Sequence, residues 1–240
     1  MSPLRSERDL SALNPSLMAA GFRQMLPIAA FVLVFGAAYG VAAQQKGVSA
    51  GWALAMSAFV FAGAAQFAVL DLWGPELSML TLALTVLAIN ARHLLMGASL
   101  YPWLRHLPGW HRYGAMVLAS DSNWAMTLQA MAKGSPGLGV LVGGGLALWV
   151  FWMLGTAMGL MFGGLIADPK VLGLDMVMAC FLLAMATAGL TSWRTLCIWG
   201  VAGGTALVVD AWLGHNLHVV AGAIAGGGLG LLWKEPGDDA

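Results

Sequence analysis

Charge is the first thing this chain lacks. Only 9% of its 240 residues are charged, against 60% hydrophobic, whereas water-facing domains carry about 25%. A soluble surface cannot be built from so little. The charges also balance, 11 basic against 11 acidic, which leaves no electrostatic footprint for nucleic acid. Cysteine is almost absent, and Cys180 and Cys197 stand singly in apolar segments. That pattern excludes a disulfide framework or a cysteine metal site. Alternating ten-residue segments are missing, which excludes a porin-like barrel. ATP-binding motifs are missing too. The glycines at 143–145, 203–204 and 226–228 follow no strand, so they read as close helix contacts rather than nucleotide loops. No cofactor and no metal is expected, since His215 and His218 have no Cys or Glu beside them.

What the chain does have is long apolar runs, several approaching or exceeding the roughly 20 residues that cross a bilayer. The fold class is all-α: a polytopic membrane protein with about seven transmembrane helices, six to eight. Residues 1–20 are polar and 235–240 form a polar tail, with one transmembrane domain, 21–234, between them. Spans are expected at 22–43, 51–72, 77–101, 137–166, 172–190, 194–213 and 215–233. Pro27 falls in the opening turns of the first, where a missing N–H is tolerated. That run is too long for a signal h-region and has no small-residue cleavage site, so it is expected to be retained. Residues 114–132 are long enough to cross but carry Asp121, Ser122, Asn123 and Gln129. They are either an amphipathic surface helix or a span lining a polar cavity.

The second span is interrupted at Gly63-Ala64-Ala65-Gln66. Polar groups in hydrocarbon need internal partners, so the break predicts a broken helix on protein-buried or water-lined backbone. Arg92 and His93 fall well inside the third apolar run. An arginine at the bilayer centre costs at least ~2.5–3.5 kcal/mol. Arg92 therefore either holds an anion such as a substrate carboxylate, or is a snorkelling or structural charge paired with a group such as Asp121. Imidazole changes charge near neutral pH, so His93 is either a proton relay or a packing histidine. Asp210 is either a proton-coupling carboxylate or an interfacial one.

Charge bias leaves the orientation open. Arg5, Arg8 and Arg23 favour a cytoplasmic N-terminus, and Arg105 and Arg112 favour a cytoplasmic loop. With three full crossings between them, both hold only if one segment is re-entrant, and the broken second span is the suspect. Residues 35–62 also resemble 154–184: FGAAYG pairs with LGTAMG, Gly36 with Gly155 and Gly40 with Gly159, and GWALAMSAFVFA pairs with GLDMVMACFLLA. The repeats are three-helix units, 22–103 and 137–213, around a connector 104–136, with an extra helix at 215–233. They are inverted if 114–132 does not cross and parallel if it does. Ala62–Gly63 would face residues 184–189.

The order GFRQMLP, FGAAYGVAAQQKGVSAGWALAMSAFVFAGAAQF, INARHLLMGASLYPWLR and ASDSNWAM resembles the AzlC family over nearly the whole chain. That family comprises the large subunits of bacterial branched-chain amino acid exporters. The resemblance implies a multi-pass protein of the bacterial inner (cell) membrane that works with a small AzlD-type membrane subunit. It implies export of leucine, isoleucine and valine, with methionine as a further candidate. The family's strongest motif residues match Gly63, Gln66, Asn90, Arg92, His93, Gly97 and Ser99. Asp121 matches an Asp-Glu pair, but Ser122 replaces the second carboxylate, which puts any two-carboxylate role in doubt.

The residues suit such a cargo. An amino acid needs donors for its carboxylate (N–H groups at 63–66, including Ala64, or Arg92) and acceptors for its ammonium (Gln66, Asn90 or Asp121). It also needs an apolar pocket, for which Phe59, Phe67 and Met96 are candidates. Export uphill without an ATP motif implies the proton gradient, with His93, Asp121 and Asp210 as coupling candidates. Two rivals stand beside this reading. An intramembrane serine protease would use Ser99 and His218, although Leu100 stands where a GxS motif wants glycine. A passive small-solute channel is the other.

Overall fold

The computed structural model describes residues 13–74, 78–135, 137–165, 192–213 and 218–233, together with Met176, Cys180, Leu183 and Thr187. All regular structure among them is helical. They fall into two compact units, Met1–Gln66 with Ala91–Leu172, and Phe67–Asn90 with Gly173–Ala240. Most of the expected span at 172–190, and with it the second half of the repeat and the facing of 62–63 with 184–189, lies outside the described residues.

The first unit is built on two long helices, α1 (Pro15–Gln45) and α8 (Leu138–Phe162). Helix α1 starts ahead of the expected residue 22. Asn14 Oδ1 accepts the Leu17 N–H at 2.9 Å and Pro15 occupies the first turn, a start signal that lies before the apolar run. Pro27 therefore sits in the helix interior, where it leaves the Arg23 carbonyl without its helical donor.

Glycine brings α1 and α8 into backbone contact. A Cβ on Gly36 would come within 2.7 Å of the Trp152 carbonyl, and one on Gly40 would run into the Thr156 carbonyl. From the other side, Gly155 abuts Leu33 and Gly159 abuts Ala37. The partners advance together, 21 with 139, 36 with 155 and 40 with 159, so the two helices run parallel and level. Gly36-x-x-x-Gly40 and Gly155-x-x-x-Gly159 are the small-residue pairs that allow this in a bilayer.

Two helical hairpins pack on this pair. Helix α2 (Ala50–Phe59) runs antiparallel to α8, and Trp149 Nε1 donates to the Ala58 carbonyl at 3.0 Å. That contact lies roughly 17 Å along a helix of roughly 37 Å, at the 1.5 Å rise per residue. The chain then breaks at residues 60–62, with Phe61 in the left-handed region at φ 44°, a conformation that costs a non-glycine residue energy. Helix α3 (Gly63–Leu72) follows. Gln66 Nε2 donates to Ser57 Oγ at 3.1 Å although the two are nine positions apart. A straight helix would separate them by about 13 Å, so the chain doubles back. The break expected at 63–66 is real, but it lies at 60–62, and Gln66 N already makes a helical bond to the Ala62 carbonyl at 2.9 Å.

The second hairpin is α6 (Gly109–Val117) and α7 (Asp121–Ala132), entered through α4 (Met79–Asn90) and α5 (Arg92–Leu104), which are separated only by Ala91. Leu104 at the end of α5, Met131 near the end of α7 and Leu138 at the start of α8 share one core cluster, against which Leu13 also packs. These ends therefore lie at one level. Asn123 Nδ2 reaches the Leu141 carbonyl at 2.7 Å, and the Leu118 carbonyl abuts Gly145. The tip at 118–120 is thus about 10 Å down α8. Residues 114–132 are neither a surface helix nor a full span. They form most of a hairpin that reaches part-way along α8. Phe61 at the first break and Met126 midway along α7 pack on a common core, Met25, Ala29, Ala147 and Leu148.

In the second unit, α9 (Trp193–Leu213) and α10 (His218–Leu232) form an antiparallel pair, with Gly222 against Ala202 and Gly226 against Ala202 and Ile198. Arg194 donates to the Trp233 and Gly230 carbonyls at 2.5 and 2.6 Å, satisfying groups that α10 leaves free at its C-terminus. Helix α10 also packs on α4. Among the described residues, Pro15–Gln45, Met79–Leu104, Leu138–Phe162 and Trp193–Trp212 are long and apolar enough to cross a membrane. Helices α2 and α3, ten residues each, rise only about 15 Å apiece and cannot.

Candidate functional site

Two polar nodes form at the helix breaks of the first unit. At the first tip, Ser57 Oγ receives Gln66 Nε2 at 3.1 Å and Trp152 Nε1 at 3.1 Å, and lies 2.9 Å from Thr156 Oγ1. A hydroxyl has two acceptor positions and one proton. With both acceptors filled, the Ser57 proton must go to Thr156. Ser57, Gln66 and Thr156 are all 0% exposed, so the node is sealed. Gln66 Oε1 is buried without a donor at hydrogen-bond distance among the described residues, with the Tyr39 hydroxyl close by. The Tyr39 and Phe35 rings flank Trp152 at 5.9 and 5.4 Å between centroids. A Cβ on Gly63 would lie 3.0 Å from the Trp152 ring and 3.2 Å from the Phe35 ring, so any larger residue would have to push these rings back by a few tenths of an ångström.

At the second node, Arg92 opens α5 and Asp121 opens α7, and Arg92 Nη1 meets Asp121 Oδ2 at 2.6 Å. Both side chains keep contact with the outside, 36% and 26% exposed. Arg92 Nε is buried and donates to nothing among the described residues. Of the readings open for Arg92, the ion pair with Asp121 is present, and it leaves donor capacity on the guanidinium. Asp121 is also well placed at a helix N-terminus, where the free N–H groups favour a negative charge. Asn123 anchors this tip. It is fully buried, its Oδ1 accepts Ser120 N at 2.6 Å, and its Nδ2 donates to the Leu118 and Leu141 carbonyls at 2.8 and 2.7 Å.

The remaining candidates are distributed more widely. Met96 is buried one turn beyond Arg92, whereas Phe59 is 87% exposed and turns away from the first node. Phe67 is buried and Ala64 partly so, and His93 lies partly buried beside Arg92. Asn90, partly buried, ends α4 in the second unit. Asp210 is also in that unit, largely exposed, with His218 Nδ1 3.3 Å from its Oδ1. Gln66 and Arg92 engage different partners. Ser99 Oγ donates to the Met96 carbonyl and accepts Trp124 Nε1, both at 2.8 Å, so its proton is committed to helix backbone rather than to a base.

Sequence reasoning passed over Ser57, Thr156 and Trp152. The only signal was a small hydroxyl in an apolar setting at Ser57 and at Thr156, and Trp152 had none. Asn123 had a clearer one, the Ser120-x-x-Asn123 spacing of a capping box, which is formed. Among the described residues no cluster of three or more His, Cys, Asp or Glu could hold a metal ion.

Residues 27–166 match the family model described as AzlC protein. The inner membrane protein YgaZ of Escherichia coli is 26% identical over 86% of this chain and 84% of its own length. The branched-chain amino acid transport protein AzlC of Bacillus subtilis is 29% identical over 69% of this chain and 65% of its own. A membrane protein of Helicobacter pylori strain J99 is 26% identical over 55% of this chain, and the match spans 58% of that relative. No solved structure matches the chain. The chain belongs to the AzlC family, a family of membrane transport proteins, as a multi-pass protein of the bacterial inner membrane.

Proposed function

We propose that this protein exports branched-chain amino acids, leucine, isoleucine and valine with methionine as a further cargo, driven by the proton gradient and in company with a small AzlD-type subunit. The observation that carries the reading is the Arg92–Asp121 pair, partly exposed at the junction of two helix starts. An ion pair is the charge complement of a zwitterion. The substrate carboxylate replaces Asp121 on the guanidinium, where the unused Nε offers a second donor, and the substrate ammonium takes Asp121. Both protein charges remain paired throughout, which limits the desolvation cost of leaving either one alone. Met96, on the same face of α5, supplies apolar wall. The name of the Bacillus relative supports the cargo class.

Opposed half-depth hairpins on a rigid helix pair support alternating access, since irregular backbone at membrane depth is tolerated where it is buried in protein or lines a cavity. Gly63, Ala64 and Gln66 reach the substrate only when the first tip opens, which also frees Gln66 Oε1. Phe59, and Asn90 in the second unit, are further candidates for substrate contact. His93, Asp121 before it takes the ammonium, and Asp210 in the second unit are the candidates for the coupled proton. Of the two repeat arrangements, parallel 22–103 and 137–213 is the one we favour, and the contacts of Gly36 and Gly40 with Gly155 and Gly159 on co-directional helices support it. Leu13, Leu104, Met131 and Leu138 meet in one cluster, so Arg23, Arg105, Arg112 and Lys133 gather toward one end, and that basic bias supports a cytoplasmic side.

Release of preloaded leucine from cells expressing the chain with its small subunit tests this. Arg92→Ala and Asp121→Ala should each cut the initial rate at least tenfold, and collapse of the proton gradient should abolish accumulation against a gradient. Export at the native rate by Arg92→Ala would refute the role of the pair. Preserved uphill export without the proton gradient would refute the coupling.

A further inference from the structure

A cavity of about 460 Å³ opens between α1, α7 and the start of α8, lined by Gln24, Gln129, Lys133 and Ser135 together with Leu17, Met126 and other apolar residues. Met126 and Gln129 on α7 and Lys133 at its C-cap follow one face at helical spacing. Among the described residues lining the cavity Lys133 is the one that ionises, so a carboxylate brought there meets one cation and no like charge from them. The Gln24 and Gln129 amides can offer acceptors to an ammonium, and Leu17, Met126 and Val140 line the apolar side. Met126 also packs on the core shared with the first hairpin tip, so the floor of the cavity connects to the moving part of the proposed cycle.

We infer that this cavity is a cytoplasmic entry site for zwitterionic amino acids with apolar side chains. The carboxylate sits on Lys133, the ammonium between Gln24 and Gln129, and the side chain against Leu17 and Met126. This rests on the export reading above and on its orientation. A phosphatidylethanolamine headgroup shares the chemistry, an anion and an ammonium above apolar chains, and the experiment separates the two sources.

The probe is labelled leucine, bound to the purified full chain in nanodiscs of phosphatidylcholine alone. Leucine should bind the native chain, and Lys133→Met and Gln129→Leu should each weaken it about tenfold. Lys133→Arg should restore it to within about threefold, and adding phosphatidylethanolamine to the discs should leave it unchanged. In efflux, Lys133→Met should raise the half-saturating internal leucine about tenfold with the maximal rate within twofold. Absence of leucine binding, native affinity in Lys133→Met, or displacement of leucine by phosphatidylethanolamine overturns the assignment. Failure of the export reading shows differently, as native efflux by Arg92→Ala, and leaves the binding measurement to judge the cavity.

Discussion

Ser57→Ala is the most informative single change, because one hydroxyl holds three groups. Removing it strands two buried donors, Gln66 Nε2 and Trp152 Nε1, and takes the proton from Thr156 Oγ1. Each buried donor left unsatisfied costs about 1–3 kcal/mol. Allowing one of them to find another partner, the loss is about 3 kcal/mol. At about 2–4 °C per kcal/mol for a chain of this size, the apparent melting temperature of the purified protein should fall by about 6–12 °C. The reasoning has a sharper test in Gln66→Leu. If Gln66 is stranded by Ser57→Ala, the double variant should be more stable than the sum of the two single losses by about 1–3 kcal/mol, since Leu has no donor to strand. Strict additivity, or a loss under about 2 °C for Ser57→Ala, would mean that the hydroxyl network does not hold the tip and that packing on Trp152 does.

The helix pair and the topology give two further expectations. Gly159→Ala would drive a Cβ into the Ala37 carbonyl, with backbone atoms of Ala37 and Val41 at 2.9 Å, and should cost about 1–3 kcal/mol of stability. Gly51→Ala, with nothing within 4 Å of the new atom, should cost none, and equal melting temperatures for the two would contradict the close approach. In a background without native cysteine, Lys46→Cys should react with a membrane-impermeant maleimide in intact cells and Ser135→Cys only in inside-out vesicles. Labelling of both from one side would show that α8 does not span the bilayer from the cytoplasmic end.

The membrane setting was legible because it depends on composition: 9% charge cannot face water over a whole surface. The broken second segment was legible too, since a glycine and an amide inside an apolar run are locally costly wherever they lie. The small-residue spacing of Gly36–Gly40 and Gly155–Gly159 was visible, and the structure gives it a reason, two backbones in contact. What could not be read was direction. Residues 51–72 have the length and hydropathy of one span, and nothing local says that the chain turns back at 60–62. That turn depends on Ser57 and Gln66 meeting across nine positions and on Trp149 and Trp152, nearly a hundred residues away, satisfying the exposed end of α2. The same holds for 114–132, whose polar residues fit a surface helix or a lined span equally well until Asn123 is seen bonding to α8.

By itself the sequence determined the solvent, the helices and the family motif, because hydropathy, capping and small-residue spacing are properties of short stretches. Which segments cross, which return, and that Arg92 faces Asp121 were decided only by tertiary packing. A buried hydrogen bond or ion pair is worth most when its alternative is hydrocarbon, and the chain bends to make it.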